Sequence, residues 1–208
     1  MGGFTLAPFD IIGDTLRGTK GVMLDMRRQP DALIEACEAV TPAAIRMATE
    51  GAMMSGHPFV FIALHKGDDA FMSEAQFARF YWPSLKKMLE GIIDAGLIPQ
   101  LFVEGAYNNK LDVIAGSDLP KGKTMWMFDR TDIRVAKMKL GGKACIGGNV
   151  PSSLFAAGTG QQMDDFCRQL IEDVAPGGGF FLSPGATVDH AKPETIRAFL
   201  QSAKKCVR

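Results

Sequence analysis

Short apolar runs alternate with longer amphipathic segments along this chain, and the alternation predicts strands and helices in turn. Phe59–Leu64, Ile98–Val103 and Thr124–Phe128 are apolar runs of strand length, Ala144–Gly148 is a weaker fourth and Phe180–Leu182 a short fifth. Continuous apolarity, rather than in-and-out alternation, is what a parallel strand covered on both faces needs. Between these runs, Asp31–Met54 carries Leu33, Ile34, Cys37, Val40, Ile45 and Met47 at helical spacing. Ser73–Asp94 opens with Ser73 and Gln76 placed for a capping box. Thr131–Leu140 stops at Gly141-Gly142, Gln161–Val174 stops before Pro176-Gly177-Gly178-Gly179, and Pro193–Val207 is a last helical stretch. Strand followed by helix, repeated, predicts crossover units on a parallel sheet, so the expected class is α/β with about five strands in a single domain, 1–208. A doubly wound sheet would place a glycine-rich phosphate loop after its first strand. Here Leu64 is followed by His65-Lys66-Gly67-Asp68-Asp69, which is acidic and holds one glycine. The pattern therefore points to β/α units of a TIM-type (β/α)8 barrel.

Composition narrows the function classes. Lys plus Arg and Asp plus Glu number 23 each, so the formal net charge is zero and no electrostatic footprint for nucleic acid or an anionic membrane exists. No stretch approaches the roughly 20 apolar residues that a membrane span needs. Cys37, Cys145, Cys167 and Cys206 are far apart and form no C-x-x-C pair. That usage predicts buried thiols in a reducing, cytoplasmic setting rather than a disulfide framework.

Chemistry in a parallel α/β protein gathers where strands end and helices begin. After the first predicted strand come His65, Lys66, Asp68 and Asp69; after the second come Glu104, Gly105, Tyr107, Asn108 and Asn109. The third ends at Asp129-Arg130, the fourth at Asn149, and the fifth at Ser183-Pro184-Gly185, followed by Asp189 and His190. Helix capping explains many acids at such places, and Asp129 and Asp132 are open to that reading. Glu104 directly follows an apolar strand, where a carboxylate is costly without a partner or a role. His57 precedes a strand and reads as structural, and Tyr81 and Trp82 read as helix–barrel packing.

Three blocks carry a resemblance. The opening Gly3-Phe4-Thr5-Leu6, the block Gly141-Gly142-Lys143 through Gly148-Asn149-Val150-Pro151, and Pro176–Gly185, continued by Lys192-Pro193-Glu194, together resemble the uroporphyrinogen decarboxylase superfamily over essentially the whole chain. The resemblance implies the C-terminal β/α units of a TIM barrel, with the N-terminal part of the barrel lacking. It also implies one of two activities, tetrapyrrole decarboxylation or methyl transfer involving corrinoid proteins or thiols. The decarboxylases have a tyrosine where this chain places Phe9, a serine at Gly67 and a histidine at Ala186. The zinc-dependent methyltransferases have a His-x-Cys-Gly motif that aligns with Phe102-Val103-Glu104-Gly105 and a later cysteine that aligns with Ala186, so thiolate-rich zinc binding is not expected. An acid associated with their metal site aligns with Asp129.

These matches and departures lead to an expected divergent, methyltransferase-like enzyme. It would transfer a methyl group from a small methylated substrate to a corrinoid or thiol, with Glu104 and Asp129 as its catalytic centre. His65, Asp68, Tyr107, Asn149 and Ser183 are the expected substrate-binding residues. Glu104, Asp129 and His65 are a candidate oxygen-rich site for a divalent metal, or alternatively an acid/base pair. Two rivals stand beside this reading. One is a decarboxylase of a tetrapyrrole or other carboxylated substrate, with Lys66 and Arg130 as its only strand-end cations. The other is a non-catalytic truncated barrel that binds a partner. Open strand edges favour a homo-oligomer, and a corrinoid protein is a second expected partner.

Overall fold

In a computed structural model, which describes residues 2–205, six parallel strands lie side by side in chain order. They are β1 (Gly3–Leu6), β2 (Phe59–Leu64), β3 (Ile98–Val103), β4 (Met125–Phe128), β5 (Cys145–Val150) and β6 (Phe180–Pro184). Each strand pairs with the next in the chain, and helices cross over between them. A doubly wound sheet reverses its strand order at a switch point. This order never reverses, as consecutive units of a barrel require, and the fold is α/β of the partial TIM-barrel kind.

The α/β barrel-type fold matches the expectation, with β1 added to the five strands read from the apolar runs. β1 carries no continuous apolar run: Gly3 and Thr5 are buried, while Phe4 is exposed. Its pairing to β2 and its close approach to the helix Pro30–Ser55 make it a strand. A Cβ on Gly3 would stand 2.0 Å from the carbonyl oxygen of Ala48, so only glycine allows that approach. The chain between β1 and β2, beyond the expected helix, adds helical turns at Pro8–Asp10, Ile11–Leu16 and Thr19–Arg28. The expected capping box forms, with the Gln76 backbone N–H donating to Ser73 and the Ser73 N–H donating to Gln76. The helix that follows is not uniform, because Phe77–Tyr81 is a π-turn leading into Trp82–Asp94. Pro193–Lys205 is helical, and the end of the expected Pro193–Val207, like Cys206, lies outside the described residues.

Alternation along the strands separates two faces. Val60, Ile62, Leu64, Leu101, Val103, Trp126 and Phe128 are almost wholly buried on the helix-covered face. The register puts Leu6, Ala63, Phe102 and Gly147 on the opposite, inner face, with Phe181 beside Gly147. Rings pack across this inner face, Phe4 stacked on Phe61 at 6.1 Å and Phe61 tilted against Phe102 at 5.8 Å. Phe4 is nevertheless 48% exposed, because β1 is an open edge among the described residues. One step further along the same parity come His65, Glu104, Asp129, Asn149 and Ser183.

Candidate functional site

Where the strands end, an open-sided cleft of about 640 Å³ is bounded by the chain after four strands and floored by the inner sheet face. His65 and Asp68 come from the loop after β2, Glu104 and Gly105 from the end of β3, Asp129 and Arg130 from the end of β4, and Ala186 and Thr187 from the loop after β6. Phe71, Phe102 and Ala186 supply apolar lining.

His65 Nδ1 lies 2.7 Å from Asp14 Oδ2, and its Nε2 lies 3.9 Å from Glu104 Oε2. Glu104 is about half exposed, so the expectation of a buried carboxylate at that strand end is corrected: a strand end in this open barrel faces a wet cleft. Asp129 Oδ2 accepts the Gly105 N–H at 3.1 Å and stands 3.6 Å from Arg130 Nε. It does not cap the helix Ile133–Leu140; Asp132 does, accepting from the N–H groups of Arg134 and Val135. Asp68 accepts the N–H groups of Ala70 and Ala106 at 2.8 and 2.7 Å, tying the loop after β2 to the loop after β3. Gly105 adopts φ +83°, and a Cβ there would stand 2.0 Å from Asp68 Oδ2, so glycine lets the two loops close on each other.

Three expected substrate contacts lie elsewhere. Tyr107 is fully buried, set edge-on to Phe77 at 6.1 Å, with no hydrogen-bond partner meeting its hydroxyl. Asn149 donates to the Thr131 carbonyl at 2.9 Å, and the Ser183 hydroxyl donates to the Pro184 carbonyl at 3.1 Å. Both side chains turn into neighbouring backbone instead of the cleft. Gly67 is explained by the same packing. A Cβ there would come within 2.6 Å of the Tyr107 hydroxyl, so the buried ring leaves no room for a side chain at position 67. Asp189 and His190 are exposed and line no part of the cleft.

Beneath the loop after β2 lies a buried cluster that sequence reading missed. Asp10, 0% exposed, accepts the backbone N–H groups of His65 and Lys66, both at 2.9 Å, and the Tyr81 hydroxyl at 2.6 Å. Burial pushes the Asp10 carboxyl above its ordinary range, against the lowering effect of these three bonds. Burial likewise holds the Tyr81 phenol well above its ordinary range. Lys66 is buried against Asp14, which leaves Arg130 the exposed cation of the cleft, and Arg130 already lies beside Asp129 and Asp68. Recognising Gly3–Leu6 as a strand would have exposed Asp10 and Asp14 as strand-end acids one helical turn apart.

Among the described residues no three His, Cys, Asp or Glu side chains converge closely enough to hold an ion, the trio Glu104, Asp129 and His65 included. Phe102 and Ala186 are apolar lining of the cleft and offer no ligand atoms. The donor set does not fit a thiolate-rich zinc site.

The family model described as uroporphyrinogen decarboxylase (URO-D) matches residues 1–206. A solved structure described as a methyltransferase from Methanosarcina mazei superimposes with a TM-score of 0.81 at 19% identity, over 97% of this chain and 57% of that one. This chain thus spans a little over half the length of that methyltransferase, and at such identity the likeness shows a shared fold. A search of curated proteins found no match.

Proposed function

Because the chain belongs to the uroporphyrinogen decarboxylase family, we propose that its cleft serves methyl transfer from a small methylated substrate to a thiol or corrinoid acceptor. The observation that carries this reading is the cleft's make-up. An apolar lining of Phe71, Phe102 and Ala186 suits a methyl group, and an acidic wall of Asp68, Glu104 and Asp129 faces it. A decarboxylase of polycarboxylates needs cations to hold its substrate. Lys66 is committed to Asp14 and Arg130 lies between two carboxylates, which favours methyl transfer over that rival.

In this reading the methyl carbon passes to the acceptor and the donor heteroatom keeps the bonding pair, so the departing group needs a proton. Glu104, half exposed at the cleft wall, is placed to deliver it. Asp129, held by the Gly105 N–H, supplies a fixed negative charge beside the reacting groups. A corrinoid protein or a second copy of this chain covering the open edge of β1 belongs to the same proposal.

The test is methyl-transfer turnover with Glu104→Ala and Asp129→Ala, using a panel of methylated amines and thioethers with a thiol acceptor. General acid–base groups and preorganised charges each contribute about 100-fold or more, so each variant should lose at least that from kcat while retaining its fold by circular dichroism. Unchanged turnover in both variants would refute the assignment.

A further inference from the structure

We propose that Asp14 is a positioning residue that fixes the His65 imidazole, so that Nε2 faces the cleft as proton acceptor for an incoming thiol. The thiol rests on the methyl-transfer reading above; the positioning role stands on geometry alone.

Asp14 sits on the π-turn Ile11–Leu16, a wide helical turn of the kind often found at functional sites. Its Oδ2 lies 2.7 Å from His65 Nδ1, and its Oδ1 is in contact with the ammonium of Lys66. Partial burial pushes the Asp14 carboxyl up, but hydrogen bonds from Lys66 and His65 outweigh it and hold the group below the ordinary range. Asp14 is therefore an anion at neutral pH, able only to accept. The hydrogen of a neutral imidazole must then sit on Nδ1, leaving the lone pair on Nε2. Asp10 holds the backbone of His65 and Lys66 from below, so ring and main chain are both constrained.

Three acids face the ring, Asp10, Asp14 and Glu104, and Lys66 pairs with Asp14 beside it. Nε2 is 3.9 Å from Glu104 Oε2, too far for a hydrogen bond, and that side of the ring opens on the cleft. Phe102 and Ala186 line the cleft without offering a ligand through which a metal could activate a thiol. Deprotonation by His65 fills the role. The thiol S–H bond breaks and its proton goes to Nε2, while the sulfur pair forms the new S–CH3 bond. The bond from methyl to the donor heteroatom breaks with its pair on the heteroatom, which takes the proton that the imidazolium passes on through Glu104, 3.9 Å from Nε2. Thiol plus methylated donor becomes methyl thioether plus protonated leaving group, with no oxidant or reductant.

The chain has three histidines, so long-range proton–nitrogen spectra of the 15N-labelled protein, assigned with His65→Gln, resolve this ring. Neutral His65 should carry its hydrogen on Nδ1. Asp14→Asn, whose amide can donate to Nδ1, should move the ring largely to the Nε2–H form. With 2-mercaptoethanol as acceptor and a methyl thioether as donor, kcat should fall about 100-fold in His65→Gln and at least 10-fold in Asp14→Asn, at an unchanged donor KM. A native spectrum with the hydrogen on Nε2 overturns the proposal even if the variant fails to fold, and so does an unchanged ring in a folded Asp14→Asn. A switched ring with undiminished kcat overturns the thiol-base role. A native chain that transfers no methyl group sinks the broader methyl-transfer reading and the thiol role with it, while the spectra still decide the role of Asp14.

Discussion

Asp10→Ala should destabilise the protein severely, because one buried carboxylate serves three donors at once. The His65 and Lys66 amides and the Tyr81 hydroxyl all end on it, at 2.9, 2.9 and 2.6 Å. A buried donor stranded by removal of its acceptor costs about 1–3 kcal/mol, so three would sum to about 3–9 kcal/mol. The hydroxyl can rotate, and the missing carboxylate leaves room for a water, so a loss of about 3–5 kcal/mol is expected. That is a large part of a typical stability of about 5–15 kcal/mol. Urea unfolding followed by circular dichroism measures it, and with a typical slope near 2 kcal/mol/M the midpoint should fall by about 1.5–2.5 M. A loss below about 1 kcal/mol would refute the view that Asp10 anchors the loop. The pH dependence adds a second check. Asp10 has a folded value raised above 3.8, so its titration favours the folded state fully below the unfolded value and loses that advantage as pH rises through the folded one. Asp10→Asn lacks this titration and should cost about 1–3 kcal/mol by setting two donors against each other. Its deficit relative to the parent should be largest near pH 4 and narrow as the pH is raised, and a gap that widens would contradict the raised value.

Gly67→Ser should cost about 1–3 kcal/mol by overpacking against Tyr107, and much less in a Tyr107→Ala background, as thermal unfolding of the single and double variants will show. Lys110→Met should cost about 3 kcal/mol, since Lys110 is fully buried with its ammonium on Asp69 and the Met72 carbonyl; equal urea midpoints would contradict it. Cys37 is 1% exposed and burial pushes its thiol up to about 12. Iodoacetamide at pH 8 should leave the peptide containing Cys37 unlabelled until urea unfolds the chain, as mass spectrometry will detect.

Local pattern alone determined most of the architecture. Phe59–Leu64 and Ile98–Val103 are strands over the span that their apolar runs mark out, because a strand buried on both faces advertises itself in consecutive residues. Helix stops at glycine were equally legible, since caps are properties of neighbouring positions. The short β1 was not, because its identity as a strand comes from pairing with β2 and from the helix pressed against Gly3. The π-turns at Ile11–Leu16 and Phe77–Tyr81 also escaped, since hydrophobic spacing over so few residues does not separate them from an α-helix.

The candidate site divides along the same line. Strand parity brought His65, Glu104 and Asp129 to one layer, and all three line the cleft. Parity says which way a backbone turns a side chain but not what stops it, and so Asn149 and Ser183 share that layer yet bond to nearby carbonyls. Asp14 stands 51 residues from His65, and Asp10 stands 71 from Tyr81. Periodicity spans a turn or a strand, whereas those contacts exist only once the sheet has brought β1 beside β2. The sequence by itself determined a run of parallel β/α units with polar groups at the strand ends; tertiary closure decided which of those groups are anchored, which are open to the cleft, and which acids of the preceding unit hold them there.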